Sequence, residues 1–425
     1  MEMNFKFEKI IFNSSFNFNK NLYGQGLVNF ESVDFCRPSQ VLEVLENTKH
    51  VYNININAVG LTTCVDHYAI AVSVGYNPND WTGNTGNRSL FDCLCDTYVR
   101  DLRDKKAILI IDQSVEGYHE TWLWKWFYEM CYKFKFPPSS IVYMSGALNT
   151  KLDHEQWTLK NKQSEKIKVI PSISLSYYIF RTYIDRDLDI TFDKIINYKE
   201  KHNIELFDCT NLNKRPHRVL FYAKLIQTKF FEDGLISMPK LDRFDISHYD
   251  QEIFELTDKT VNKSIKLSPS LIEHKQNHQK EFVSYINRIL DDVHDKTWLS
   301  IITESSYFHN ENSVFLSEKT FKPIACMHPF IVVGAKHSLK YLRSLGFRTF
   351  EGFIDESYDN LEDNERMDAI IQSLHAVRKI QDKIAWYTSM RDVLEHNQTK
   401  LMSYHTEAQT EQQELVNYYK DYFNL

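Results

Sequence analysis

Residues Lys105–Tyr118 read KKAILIIDQSVEGY, a short uninterrupted apolar run closed at both ends by polar side chains. A strand with one wet face alternates apolar and polar residues. An unbroken run this short therefore belongs to a strand covered on both faces, as in a parallel sheet flanked by helices. The pattern recurs in HYAIAVSVGY (His67–Tyr76), SSIVYMSG (Ser139–Gly146) and KIKVIPSIS (Lys166–Ser174). Helix-length segments lie between these runs, at Ser89–Leu102 and Glu120–Phe136, and Pro137-Pro138 stop the second. Strands alternating with helices predict a parallel α/β layer.

The second half predicts another such layer. A helix at Arg218–Asp233 is stopped by Gly234, and a strand follows at Lys296–Thr303. The most regular unit comes next: helix Ser317–Met327, strand Pro329–Gly334, helix Ser338–Leu345 and a short strand FRTF, Phe347–Phe350. Asp185–Arg215 is polar, with few apolar anchors, and reads as the connection between two lobes. From Asn364 onward apolar residues recur at three-to-four spacing, predicting a helical tail. The expected organisation is an α/β lobe over 1–205, a second over 206–360 and a helical tail over 361–425. No internal repeat or low-complexity tract points to a solenoid or propeller.

Composition narrows the function classes. Only 12 of the 425 residues are glycine, and neither G-x-G-x-x-G nor G-x-x-x-x-G-K-[ST] occurs. A nucleotide site here has to use side chains and a helix N-terminus. The formal charge of −7, from 57 acidic and 50 basic residues, argues against a general polyanion binder. Seven sparse cysteines read as reduced thiols. No apolar run approaches the ~18–20 residues of a membrane span, and MEMNFKFEK lacks the apolar core of a signal peptide. A cytoplasmic location is expected.

Chemistry concentrates in Ile302–Gly334. Ser317 stands where a helix N-cap belongs, so Glu318 and Lys319 occupy the first turn. Unpaired N–H groups and a partial positive charge at such a terminus favour a phosphate, and Lys319 adds a full charge. Glu318 could accept hydrogen bonds from a ribose diol. On spacing alone a solvated scaffold helix fits equally well.

This segment resembles the donor-binding motif of α-1,3-fucosyltransferase-like enzymes, carried by Glu304 after a strand, Ser317-Glu318-Lys319 at a helix head, and Pro329–Gly334. Serine stands where that family has threonine. The continuation Leu342–Asp359, LRSLGFRTFEGFIDESYD, is similar to phage- and virus-encoded glycosyltransferase-like proteins. The resemblance spans Arg215–Asp359. It implies a GT-B architecture of two Rossmann-like lobes, a nucleotide-sugar donor as co-substrate, no cofactor, and inverting, metal-independent transfer. In KRPHRVLFYAKLIQ it further implies a basic residue on the donor phosphates, with Arg218 the first match and Arg215 the second. It also implies a catalytic base just past a strand of the first lobe. Asp112, Glu116 and Glu120 lie there, with Glu116 the better match and Asp112 the next.

Three other features are weaker. Asp185-Arg186-Asp187-Leu188-Asp189 holds two overlapping D-x-D patterns, the metal-binding signature of single-lobed transferases, although such triplets are common in charged linkers. Cys93-x-Cys95 has no partner pair for zinc. Trp122, Trp124 and Trp126 cannot share one helical face, which leaves room for an acceptor platform. The leading expectation is transfer of a sugar to a hydroxyl on a glycan, a protein or a hydroxymethylated DNA base. The alternative is a non-catalytic nucleotide- or nucleic-acid-binding module that keeps the fold.

Overall fold

The computed structural model describes residues 54–60, 68–74, 82, 89–94, 96–113, 117, 119–172, 189–211, 215–238, 293–308, 313–403, 414–415, 417–418 and 421–424. Residues up to 174, with 311–315 and 405–425, form one compact unit, and 175–310 with 316–404 form another.

The apolar runs of the first half pair in chain order. Strands β1 (Ile54–Gly60), β2 (Tyr68–Val74), β3 (Ala107–Gln113), β4 (Ile141–Ser145) and β5 (Lys168–Pro171) form one sheet in the order β1-β2-β3-β4-β5. β1 is antiparallel to β2, and the other pairs are parallel. Every residue of β3 is buried, as its unbroken apolar run requires. Helices α1 (Asp96–Arg103), α2 (Trp122–Phe134) and α3 (Thr150–Lys160) belong to this unit.

The helix expected over Ser89–Leu102 is interrupted. Ser89 Oγ donates to Asp92 at 2.7 Å and accepts from the Asp92 N–H at 3.2 Å, fixing a short 3-10 turn at Phe91–Cys93. Leu94 is then extended, with ψ 135°, so α1 starts afresh at Asp96. The three tryptophans are packing groups. Trp124 is fully buried between the His119 and His154 rings, at 4.9 and 4.7 Å, and Trp126 packs on Phe91 at 5.1 Å. Trp122 is half-buried against the same core. Residues near the C-terminus complete this unit: Lys168 pairs with Glu414 at 2.5 Å, and Tyr418 OH donates to the Ser139 carbonyl at 2.5 Å.

The second sheet is wholly parallel, in the order β7-β6-β8-β9, from β6 (Glu205–Thr210), β7 (Gly234–Ser237), β8 (Thr297–Thr303) and β9 (Phe330–Val333). Its helices include α4 (Phe192–Lys199), α5 (Pro216–Gln227), α6 (Glu318–Ala325) and α7 (Ser338–Ser344). This corrects three expectations. The stretch read as an inter-lobe connection, Asp185–Arg215, holds α4 and the inner strand β6 in its described part. Two of its charged residues, Lys199 and Asp208, are satisfied internally rather than by water. Asp208 of β6, 4% exposed, accepts hydrogen bonds from Ser300 Oγ at 2.6 Å and Thr297 Oγ1 at 3.1 Å. Lys199, 2% exposed, donates to the carbonyls of His294 at 3.0 Å and Thr297 at 2.5 Å.

Gly234, read as a helix stop, opens β7 instead. A Cβ there would lie 2.6 Å from the ring of fully buried Phe207. Phe347–Phe350 is not a strand. Its backbone groups are taken by side chains: Glu356 Oε1 accepts from the Phe350 N–H at 2.6 Å, and Asn397 Oδ1 accepts from the Arg348 N–H at 2.7 Å. Asp359 in turn caps α7 through the N–H groups of Leu339 and Lys340, both at 2.9 Å, and Arg343 joins Glu356 at 3.1 Å. Leu342–Asp359 is thus a self-clamped turn against the sheet. The expected tail is helical: α8 (Asp363–Lys379), α9 (Lys383–Ser389) and α10 (Arg391–Met402). Among the described residues no helix is long and apolar enough to cross a membrane.

The Gly234–Phe207 approach gives a stability test. Gly234→Ala forces a methyl group into a buried ring with no room to recede, and should lower the unfolding free energy by about 1–3 kcal/mol. An unchanged urea midpoint would show that the ring moves aside.

Candidate functional site

In the second sheet β6 is followed through α5 by β7 on one side, whereas β8 pairs on the other side of β6. The connections leaving the carboxyl ends of β6 and β8 therefore diverge, and ligands of open parallel sheets bind in such a crevice. The segment after β6 brings Arg215 and Arg218, and the segment after β8 brings Glu304 and then Ser317-Glu318-Lys319. All six second-half site residues expected from sequence, Arg215, Arg218, Glu304, Ser317, Glu318 and Lys319, thus share one end of one sheet.

Glu304 is the hub. It is fully buried, and its N–H donates to the Val333 carbonyl at 3.0 Å, tying the ends of β8 and β9. Its carboxylate accepts from the Ser317 N–H at 2.9 Å, Ser317 Oγ at 2.6 Å and Thr320 Oγ1 at 2.6 Å. Ser317 Oγ accepts in turn from the Lys319 N–H at 3.3 Å, the N-cap bond that its position predicts. A buried carboxylate thereby fixes where α6 begins and where its first N–H groups point.

Arg218 is 3% exposed, and its guanidinium donates to the carbonyls of Thr303 at 3.0 Å and Glu304 at 3.1 Å. Arg215 donates to the Ser305 carbonyl at 3.0 Å. Both arginines therefore hold the turn after β8, with Arg215 the more open of the two. His217 and Tyr307 were not singled out by sequence. The two rings stack at 5.5 Å, His217 bonds to the Glu304 carbonyl at 2.9 Å, and Arg366 lies 4.3 Å over the Tyr307 ring. Burial, with Arg218 nearby, pushes His217 down to about 3, so this imidazole is neutral. Thr320 was also missed, although S-x-x-T is visible at Ser317–Thr320.

On α6, Lys319 Nζ reaches Glu318 at 2.9 Å and Ser317 Oγ at 3.1 Å, with 28% of its side chain exposed. Burial alone would raise the Glu318 carboxyl, but Lys319 and Lys322 outweigh it and bring it down to about 2. Burial lowers the Lys322 ammonium to about 8 although Glu318 supports its charge. The first turn of α6 thus presents one partly open ammonium beside a carboxylate that stays ionised.

In the first unit Asp112 is buried at the carboxyl end of β3, aligned with Ser73 of β2 and Met144 of β4. Gln113 beside it accepts from Tyr143 OH at 2.5 Å. Glu116, Asp185 and Asp187 lie outside the described residues. Asp189 is exposed and ion-paired with Lys194.

No family model matches the chain, and a search of curated proteins finds no match. Solved structures do match. One is trehalose-6-phosphate synthase OtsA, with a TM-score of 0.38 and 12% identity over 79% of this chain and 78% of that one. Similarity at that level carries no argument, and the architecture rests on the two sheets described above.

Two outcomes follow from this geometry. Glu304→Gln replaces an acceptor oxygen by a donor among three donors and should cost about 2–4 kcal/mol of stability, read from denaturant unfolding. Glu318 has a folded-state value of about 2 against 4.5 in its ordinary state, so its contribution is complete above pH 4.5 and disappears as the pH falls toward 2. The loss should amount to about 3 kcal/mol, and Glu318→Gln should flatten that limb of the stability–pH curve.

Proposed function

We propose that the chain is a glycosyltransferase of GT-B type, holding a nucleotide-sugar donor at the carboxyl end of its second sheet. The observation that carries this reading is the meeting of Arg215, Arg218, Glu304 and the Ser317–Lys319 helix start at the point where the connections of a parallel sheet diverge. On this reading the positive end of the α6 dipole and the Lys319 ammonium neutralise the leaving diphosphate, while the Lys319 N–H stays on Ser317 Oγ. Arg215 contributes its guanidinium. Buried Arg218 acts chiefly by holding the turn after β8, adding its charge at short range. Glu318 accepts from the ribose, its carboxylate kept ionised by the two neighbouring lysines. Glu304 positions the helix and is not itself a ligand.

The acceptor is a hydroxyl, and a base on the first unit activates it, Glu116 or Asp112. Transfer inverts the anomeric centre and needs no metal. A glycan, a protein or a hydroxymethylated DNA base as acceptor and a phage or viral source rest on the sequence resemblance alone, and a cytoplasmic location rests on cysteine usage and the N-terminal composition alone. Binding of the same donor without turnover would make the chain a nucleotide-binding module instead.

Lys319→Ala should weaken nucleoside-diphosphate binding by about 1.5–3 kcal/mol in calorimetric titration, the scale of a charge-assisted hydrogen bond. Wild-type affinity in that variant removes the site. Arg218→Ala should lower affinity and melting temperature together, because it also releases two carbonyls. For the base, Glu116→Gln or Asp112→Asn should leave donor affinity intact and slow transfer by ~10²–10⁴-fold. Normal rates in both variants would place the base elsewhere.

A further inference from the structure

The second sheet carries a separate polar cluster toward its amino end, at the start of β8 and just before β9. Asp208 of β6, His294 ahead of β8 and His328 ahead of β9 are all buried, and their side-chain donor atoms lie within 4.8 Å of one another. Asp208 Oδ2 is 3.7 Å from His294 Nδ1 and 3.8 Å from His328 Nε2. Two imidazoles and one carboxylate converge from chain segments far apart in sequence. We propose that this triad is a structural site for a divalent transition-metal ion of the zinc class, unconnected with the donor crevice.

Charge comes first. Among the described residues no lysine or arginine lies within ion-pair distance of Asp208; the Lys199 ammonium interacts with it electrostatically but donates its hydrogen bonds to backbone carbonyls. A buried carboxylate beside two imidazoles is a donor set that a dication satisfies directly. Distance comes second. Ligands at ~2.0–2.2 Å from a tetrahedral zinc stand roughly 3.3–3.6 Å apart, so the two carboxylate–imidazole edges need to contract by only a few tenths of an ångström, and the imidazole–imidazole edge, within 4.8 Å, by about an ångström at most. Donor type comes third: nitrogen and oxygen ligands of this mix suit zinc and its cobalt surrogate.

The hydroxyls complete the set. Ser300 Oγ lies 2.6 Å from Asp208 and 3.1 Å from His294 Nδ1, and Thr297 Oγ1 lies 3.1 Å from Asp208 and 3.2 Å from His328 Nε2. Each can orient the carboxylate or yield the fourth position to water. The ring nitrogens pointing outward, His294 Nε2 and His328 Nδ1, make no full hydrogen bond, and the Leu299 carbonyl is the acceptor beside His328. With the inner nitrogens on a metal, the outer ones carry the protons, and that on His328 has this carbonyl to face. The ion would tie β6, the entry to β8 and the turn between α6 and β9.

The test uses the full chain, stripped with a chelator and equilibrated with Zn²⁺ or Co²⁺. Elemental analysis should find about one zinc per chain. Co²⁺ should produce the d–d absorption of a four- or five-coordinate site, and Zn²⁺ should raise the melting temperature by roughly 5 °C or more. Asp208→Asn and His328→Gln should each weaken Co²⁺ binding at least tenfold. His202→Gln, on an exposed residue, should leave it unchanged. Wild-type protein that is folded by circular dichroism yet takes up neither ion overturns the proposal and makes the cluster a purely hydrogen-bonded one. So does uptake lost with His202→Gln and retained in Asp208→Asn. Neither result touches the donor-site reading, which is measured with nucleoside diphosphate.

Discussion

The second unit depends on one buried carboxylate. Glu304 ends β8, bonds through its backbone to β9, and spends both side-chain oxygens on the start of α6. A carboxylate taken so completely out of water is tolerable only where its oxygens meet donors, and here the donors belong to the first turn of α6. The helix start is therefore fixed by the interaction that solvates the charge. Arg218 and His217 work the same joint from the other side, through the carbonyls of residues 303 and 304. The result is a rigidly held helix start built without a glycine-rich loop, consistent with a chain of only 12 glycines.

The two ends of that sheet solve different problems. At the carboxyl end, Arg215, Arg218 and Lys319 gather where the connections diverge. Toward the amino end Asp208, His294 and His328 are closed off, each less than a tenth exposed. One end has polar groups partly offered to solvent, as with Lys319, and the other has polar groups turned wholly on one another. A sheet held tightly at its base can keep its upper rim in register while a ligand enters and leaves.

The sequence was legible where pattern and burial agree. The unbroken runs at Ala107–Gln113 and Ile141–Ser145 could only be covered parallel strands, and Ser317 announced the start of α6 by its type and place. It misled where burial is achieved with polar residues. β6 reads ELFDCT, short and flanked by charge, and nothing local reveals that Asp208 will meet two hydroxyls from β8. Phe347–Phe350 erred the other way. It has strand-like residues, but its backbone partners are the side chains of Glu356 and Asn397, which no periodicity records. The candidate site residues were named by resemblance to a donor-binding motif and, for Ser317–Lys319, by their place at a helix start. Their local roles were not legible, since only coordinates separate an arginine facing carbonyls from a lysine facing solvent.

The first unit is discontinuous along the chain: it takes residues up to 174, returns for 311–315, and closes with 405–425. A ribosome delivers a chain from its N-terminus, so the sheet β1–β5 emerges long before Glu414 and Tyr418 exist to cover Lys168 and Ser139. During synthesis that unit waits, with part of its surface uncovered, until Glu414 and Tyr418 have left the tunnel. Loop closure over more than two hundred residues is then the step that completes it, which makes its folding late and slow relative to the locally connected helices α8–α10.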